Sequence, residues 1–354
     1  MTKNHGKRGR KGGRGFSPLL EDRFRIVKSE VKRRSREEGI RERAEVLRVE
    51  EWKKYIEKYN PPLLMEALDK VEEKRRLKSA GVVVPETYLV LSDPAEVERA
   101  EGWRHLLPKR GFVVKPSRGH AGSGVLLVRR IVGRRFIGEA GDYLDIEDIK
   151  NYAKEIISGK YSRGRPDQAI FEELLRLSAE LRELATIGLP DIRVISFRGF
   201  PVMAMIRLPT ALSRGRANVH KGAIAAGISI SRGLIVGAVL KRERIERHPD
   251  TGVTLVGRRI PHWKGILQMA VRAQEASGLG YAGVDVTLSR QKGVVVIEVN
   301  RRPGLEIQNA NFAGLKRRLK VVESWYKEGG GELTPEERVN MAREWDKERW
   351  RLTK

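Results

Sequence analysis

Apolar residues recur along this chain with two different spacings. Val31, Ile40, Val46, Leu47, Trp52 and Ile56 stand among alternating Glu and Arg at spacings that predict one or two charged helices within 18–59. Asn60-Pro61-Pro62 ends that pattern, because proline cannot continue a helix. A second helix is predicted over 63–80 and stopped by Gly81. Strand-type runs follow at 87–91 and 111–116, then a glycine-rich turn at 117–124 and a returning strand at 125–130. Residues 145–158 read as a helix, and 169–177 opens as a strand. Three further strands are predicted at 191–197, 201–208 and 223–230. A helix over 266–277 precedes a hairpin of 283–288 with 294–300, and Thr334-Pro335-Glu336-Glu337 opens a charged helix within 332–351. Helices and strands intermingle without the regular alternation of a doubly wound parallel sheet, which predicts an α+β fold, and no internal repeat is visible.

Composition narrows the picture. A chain of 354 residues with 40% hydrophobic residues can bury a full enzyme core. The longest apolar runs, such as 294–297, are strand-sized, and no signal-peptide pattern follows the basic start, so the cytoplasm is the expected location. With no cysteine, a metal must be held by oxygen or imidazole, and hard oxygen ligands suit Mg2+. A net charge of +25 favours contact with a polyanion. The charge is concentrated at residues 1–16, glycine and basic residues with no acid, where an unstructured arm is expected. The expected organisation is a basic arm at 1–17, a charged helical segment at 18–60, an N-terminal region at 61–110, a principal domain at 111–320 and a charged helical tail at 321–354.

Two constellations carry chemistry. Lys115 closes a strand and is followed by Gly119-His120-Ala121-Gly122-Ser123-Gly124 and then a second strand. Glycines let the backbone approach a phosphate, and Lys115 adds a point charge. No helix follows, so the loop is neither a Walker A nor a dinucleotide turn, and an ordinary structural hairpin is the alternative. The second constellation is Gly283-Val284-Asp285-Val286 with Ile297-Glu298-Val299-Asn300. Side chains alternate along a strand, so Glu298 and Asn300 share a face. With Gln291 and Lys292 at the tip and Arg290 opposite Gly293, counting outward sets Asp285 opposite Glu298. Adjacent carboxylates repel unless a cation lies between them, whereas a solvated hairpin face is the alternative.

These motifs, with Asp69-Lys70, Val84-Pro85-Glu86-Thr87, Pro190-Asp191-Ile192-Arg193-Val194, the run from Met203 through Arg207 to Thr210, Ala217-Asn218-Val219-His220-Lys221-Gly222 and Asn300-Arg301-Arg302-Pro303-Gly304-Leu305, resemble the ATP-grasp superfamily. Within it they are similar to the alpha-L-glutamate-ligase-like proteins, relatives of the RimK-type ligases. The resemblance covers about 59–314. It implies two α+β lobes clasping ATP. Lys70 and Lys115 would contact phosphates, Gly119, Gly122 and Gly124 would form the lid, and Glu172 would meet adenine and ribose. Asp285, Glu298 and Asn300 would hold one or two Mg2+ ions, with Mn2+ as an alternative. Arg193, Arg207 and Arg302 would steer phosphate, with Asn218 and His220 near the transferred group. Glu173 departs from a common tyrosine and Lys221 from a common glutamine, which leaves the adenine pocket and the acceptor site less defined.

The implied reaction is ATP-dependent joining of a carboxylate, such as glutamate, to an amine on a small molecule, peptide or protein, through an acyl phosphate. Two other readings stand beside it: an ATP-grasp phosphoryl-transfer enzyme, and a basic RNA- or ribosome-binding protein with a vestigial nucleotide site. RNA or ribosome contact through the basic arm, and homo-oligomers, are the partners this chain leaves open.

Overall fold

A computed structural model describes residues 45–66, 70–119, 123–185 and 187–350. The basic arm, the helical expectation for 18–44, Asp69 and Gly122 lie outside those residues.

Two antiparallel sheets carry the fold. The smaller contains β1 (Thr87–Leu91), β2 (Phe112–Pro116), β3 (Leu126–Val132), β4 (Arg135–Gly138), β5 (Tyr143–Leu144) and β6 (Ala169–Glu173), in the order β1-β6-β2-β3-β4-β5. The larger contains β7 (Asp191–Phe197), β8 (Phe200–Leu208), β9 (Ile224–Ile228), β10 (Ile235–Leu240), β11 (Glu243–Arg244), β12 (Tyr281–Ser289) and β13 (Gly293–Asn300), in the order β11-β10-β9-β8-β7-β12-β13. Each sheet has its own core. Phe112, Val114, Val128, Phe136 and Phe171 pack under the helix Ile146–Ile157 on the smaller one. On the larger, Ile266, Leu267, Ala270, Val271 and Ala273 of the helix Trp263–Ser277 form an apolar stripe at helical spacing against the strands. The tail helix Pro335–Lys347, opened by Thr334 in a capping box with Glu337, buries Val339 and Ala342 in the same core.

Most expected elements are present within a few residues. The span 63–80 is divided between the helices Pro62–Glu66 and Lys70–Ser79. Strands β4, β5, β10 and β11, and the helices Pro94–Glu98, Ala179–Leu184, Glu306–Asn311 and Lys316–Lys327, lie between the expected ones. Several are too short for a period to register: β5 and β11 have 2 residues each. No helix among the described residues is long and apolar enough to cross a membrane.

The hairpin β12–β13 corrects the sequence-based register at its tip. Ser289, not Arg290, pairs with Gly293, so the turn holds three residues, and Gly293 takes the φ of +68° that closes it. The ladder then slips between Asp285 and Val286, where Ile297 is the extra residue of a β-bulge, and Asp285 lands opposite Glu298. The expected pairing holds because two one-residue departures cancel.

At the far edge, Lys241 and Arg242 link β10 to β11 in a two-residue turn with φ of +49° and +72°. Both central positions are left-handed, as in the type I′ turn that favours Asn-Gly. Exchanging Lys241-Arg242 for Asn-Gly is expected to stabilise the chain by about 0.5–1 kcal/mol, read as a higher urea midpoint. An unchanged or lower midpoint would show that the turn carries no such strain.

Candidate active site

The helix Lys70–Ser79 touches both sheets. Toward the smaller sheet, Lys74 and Lys115 both pair with Glu172, the latter at 2.5 Å. Lys70 donates from Nζ to the Gly119 carbonyl at 3.0 Å, and its backbone N–H meets Ser117 Oγ at 3.2 Å. Toward the larger sheet, Glu73 accepts from the Val299 N–H at 3.0 Å. Glu173, the departure from tyrosine, accepts from Glu86 N at 3.2 Å and pairs with Lys292 at the hairpin tip at 2.5 Å. Its charge therefore joins the two sheets.

Glu172 is buried, with both oxygens occupied by ammonium groups. Burial alone would raise its carboxyl; Lys115 and Lys74 outweigh that and hold it at about 2. Burial likewise pushes Lys74 down to about 8 against the pull of Glu172. A carboxyl lowered by folding stabilises the fold above its unfolded value and loses that contribution as pH falls through the folded one. The stability advantage over Glu172→Gln is therefore expected to be full above pH 4.5, to include about 3 kcal/mol of linkage, and to shrink as pH falls toward 2. Denaturation midpoints of both proteins across this range test it, and a gap constant with pH would show that the pair is solvated.

On the larger sheet a row of charged side chains crosses four adjacent strands. Arg207 on β8 lies opposite Asp191 on β7, Arg193 on β7 opposite Asp285 on β12, and Asp285 opposite Glu298 on β13. Arg193 grips Asp285 with two bonds of 2.7 Å. Arg207 grips Asp191 at 2.5 and 2.7 Å and reaches Asp285 at 2.8 Å. Asp285 is 2% exposed. Burial would raise its carboxyl, but the two guanidiniums outweigh burial and hold it low. Among the described residues Asp191 bonds to Arg207 alone, with no second guanidinium; burial and the neighbouring Asp285 charge outweigh Arg207 and push it up to about 6. The helix joins the two clusters: Glu73 accepts from the Val299 N–H, between Glu298 and Asn300, while its neighbour Lys74 pairs with Glu172.

Of the residues singled out in the sequence, Lys70, Lys115, Gly119 and Glu172 gather at the smaller sheet, and Arg193, Arg207, Asp285, Glu298 and Asn300 at the larger. Gly124 sits at φ +72° against the Tyr161 ring, so its backbone and packing alone require glycine. Asn218 accepts from the His220 N–H and caps the short helix Val219–Lys221, while His220 is exposed. Arg302 is exposed too. No contact among the described residues ties these three to the row. Glu73 and Lys74 lie outside the motifs above, and Asp191, within one of them, carried no expected role. Lys74 lies one helical turn from Lys70, and Asp191 shares a strand face with Arg193, so both spacings were readable. A cavity of 470 Å³ lined by Glu72, Arg75, Arg76, Ser79, Ala80 and Ala276 contains none of the row or of its lysine partners.

Among the described residues no three His, Cys, Asp or Glu side chains gather as ligands. The Asn300 amide nitrogen nevertheless lies 2.8 Å from Asp285 Oδ2 and 3.0 Å from Glu298 Oε1. One hydrogen-bond donor thus bridges two carboxylates, where a positive charge is favoured. A half-turn of the amide would exchange that nitrogen for oxygen and offer a third hard donor. The set fits Mg2+, provided Asp285 shares its oxygens with its arginines.

A family model described as sugar-transfer associated ATP-grasp matches residues 50–324. Similar solved structures include the ATP-grasp ligase PsnB complexed with minimal precursor, at 17% identity, TM-score 0.37, 76% of this chain and 64% of that one. The D-alanine-D-alanine ligase from Coxiella burnetii follows at 15% identity, TM-score 0.36, 80% and 58%. The D-cycloserine synthetase DcsG stands at 18%, TM-score 0.39, 75% and 72%. No curated protein matches. The alpha-L-glutamate-ligase-like branch is not singled out by these matches.

Proposed function

This chain belongs to the sugar-transfer associated ATP-grasp family, and on that premise we propose that it joins a carboxylate to an amine at the expense of ATP, through an acyl phosphate. The observation that carries the reading is the charged row Arg207–Asp191/Arg193–Asp285–Glu298, joined by the helix to Lys70 and its lysine neighbours. A carboxylate is a poor electrophile until an oxygen becomes a leaving group. In the proposed sequence the substrate carboxylate oxygen bonds to the γ-phosphorus and ADP departs. The amine then bonds to the acyl carbon, inorganic phosphate departs and the amine gives up a proton.

Lys70 and Lys115 would bind the nucleotide phosphates, and Arg193 and Arg207 would meet charge on the transferred group. All four are held in place by carboxylate or carbonyl partners before any ligand arrives, so little reorganisation is required. Gly119 would follow Lys70 as part of the phosphate-covering loop. Asp285, Glu298 and Asn300 would hold Mg2+, which supplies charge neutralisation on the phosphates. No side-chain nucleophile is needed, in keeping with the absence of cysteine.

The test is ADP release from Mg-ATP across a panel of amino acids and small carboxylates, with mass spectrometry of the product. Amine-dependent ADP release with a new amide is the expected result. A phosphorylated product formed without amine would replace the ligase with a phosphoryl-transfer enzyme.

A further inference from the structure

β13 is the edge strand of the larger sheet, so the N–H groups on its outer side have no neighbouring strand to accept them. The bulge at Ile297 sets which ones these are. Val296 donates outward to the Val83 carbonyl at 2.9 Å, and three residues later, rather than two, Val299 donates outward to Glu73 Oε1 at 3.0 Å. Val299 lies between Glu298 and Asn300, and its position fixes the direction in which both side chains leave the strand. Glu73 is 7% exposed, and its helical neighbour Lys74 is tied to Glu172 on the other sheet.

We infer that Glu73 is a positioning residue for the divalent cation of the proposed reaction: by accepting the Val299 N–H it holds the edge strand so that Glu298 and Asn300 stay aimed at Asp285. The role is mechanical and needs an acceptor oxygen at that distance, not a charge. It rests on the ligase reading for its consequence, but its geometry can be tested without turnover. The side chain is too far from solvent for water to replace it readily, and a free edge N–H would let β13 shift along its bulge.

The conservative set separates the acceptor from the charge. Glu73→Gln keeps an oxygen at the same reach; Glu73→Asp keeps the charge but withdraws the oxygen by one methylene; Glu73→Ala removes both. Amide hydrogen exchange at Val299 is expected to stay slow in Glu73→Gln and to accelerate in the other two. Mn2+ binding in the presence of ADP, read by electron paramagnetic resonance, is expected to weaken about 10-fold in Glu73→Asp and Glu73→Ala, the scale of losing a partner that orients a ligand, and to be little changed in Glu73→Gln. If Glu73→Ala does not fold, Glu73→Asp carries the comparison. Weakening in Glu73→Gln with Glu73→Asp little changed would overturn the inference in favour of charge. Fast exchange at Val299 with unchanged Mn2+ affinity would overturn it as well. Failure of the unaltered chain to bind Mn2+-ADP would instead sink the ligase reading, and this role with it.

Discussion

Replacing Glu298 by Gln is expected to slow ADP release by about 100- to 1,000-fold, the usual scale for removing one preorganised electrostatic group, while leaving unfolding free energy within about 1 kcal/mol. The two halves of that expectation come from the same geometry. Glu298 is half-buried and accepts one hydrogen bond, from Asn300 Nδ2 at 3.0 Å. A glutamine oxygen can accept the same bond, and the shape is retained, so the fold has little to lose. What disappears is the negative charge, which acts on Lys70 and Arg207 in the folded chain and would act on a cation. Steady-state kinetics with varied Mg2+, alongside a urea titration, is the measurement. Turnover within a factor of two of the unaltered chain would remove Glu298 from the metal site.

Asp285→Ala is expected to do the opposite kind of damage. Asp285 accepts from both nitrogens of the Arg193 fork, from Arg207 and from Asn300. Removing it leaves Arg193, 9% exposed, without its carboxylate, and Arg207 with Asp191 alone. Breaking a buried pair by deleting one partner typically costs about 3–5 kcal/mol, because the remaining charge stays desolvated. Asp285→Asn keeps one oxygen for the guanidiniums and should lose less stability, yet it should be as inactive as Glu298→Gln. Urea midpoints of the two variants decide the matter. A loss below about 1 kcal/mol in Asp285→Ala would mean that water reaches the arginines.

How far the sequence could be read depends on the range of the interaction concerned. The ribbon of 281–300 was legible because alternation and turn chemistry act over a few residues. Even there, the three-residue turn and the bulge at Ile297 were invisible, since a bulge is a property of two strands and the sequence displays one. Lys115 and its glycine loop were legible as a type, but the requirement for glycine at Gly124 comes from Tyr161, far along the chain. The contact of Glu73 with Val299 joins residues 226 apart, and no local period announces it. Glu173 was noted as a departure from tyrosine, and only its meeting with Lys292 explains the charge. Asn218 and Arg302 carry the expected residue types in the expected motif, yet no contact among the described residues joins them to the charged row.

The bulge at Ile297 has a consequence for how this chain can change. It absorbs one extra residue on β13 alone, so the pairs on either side of it keep consecutive partners on β12. Removing Ile297 would join Val296 directly to Glu298, leaving Val286 opposite Val296 and Asp285 opposite Glu298, with Glu298 and Asn300 on their present side of the ribbon. Deleting Ile297 should therefore keep the acidic residues paired and lose only the local kink that the bulge gives the strand.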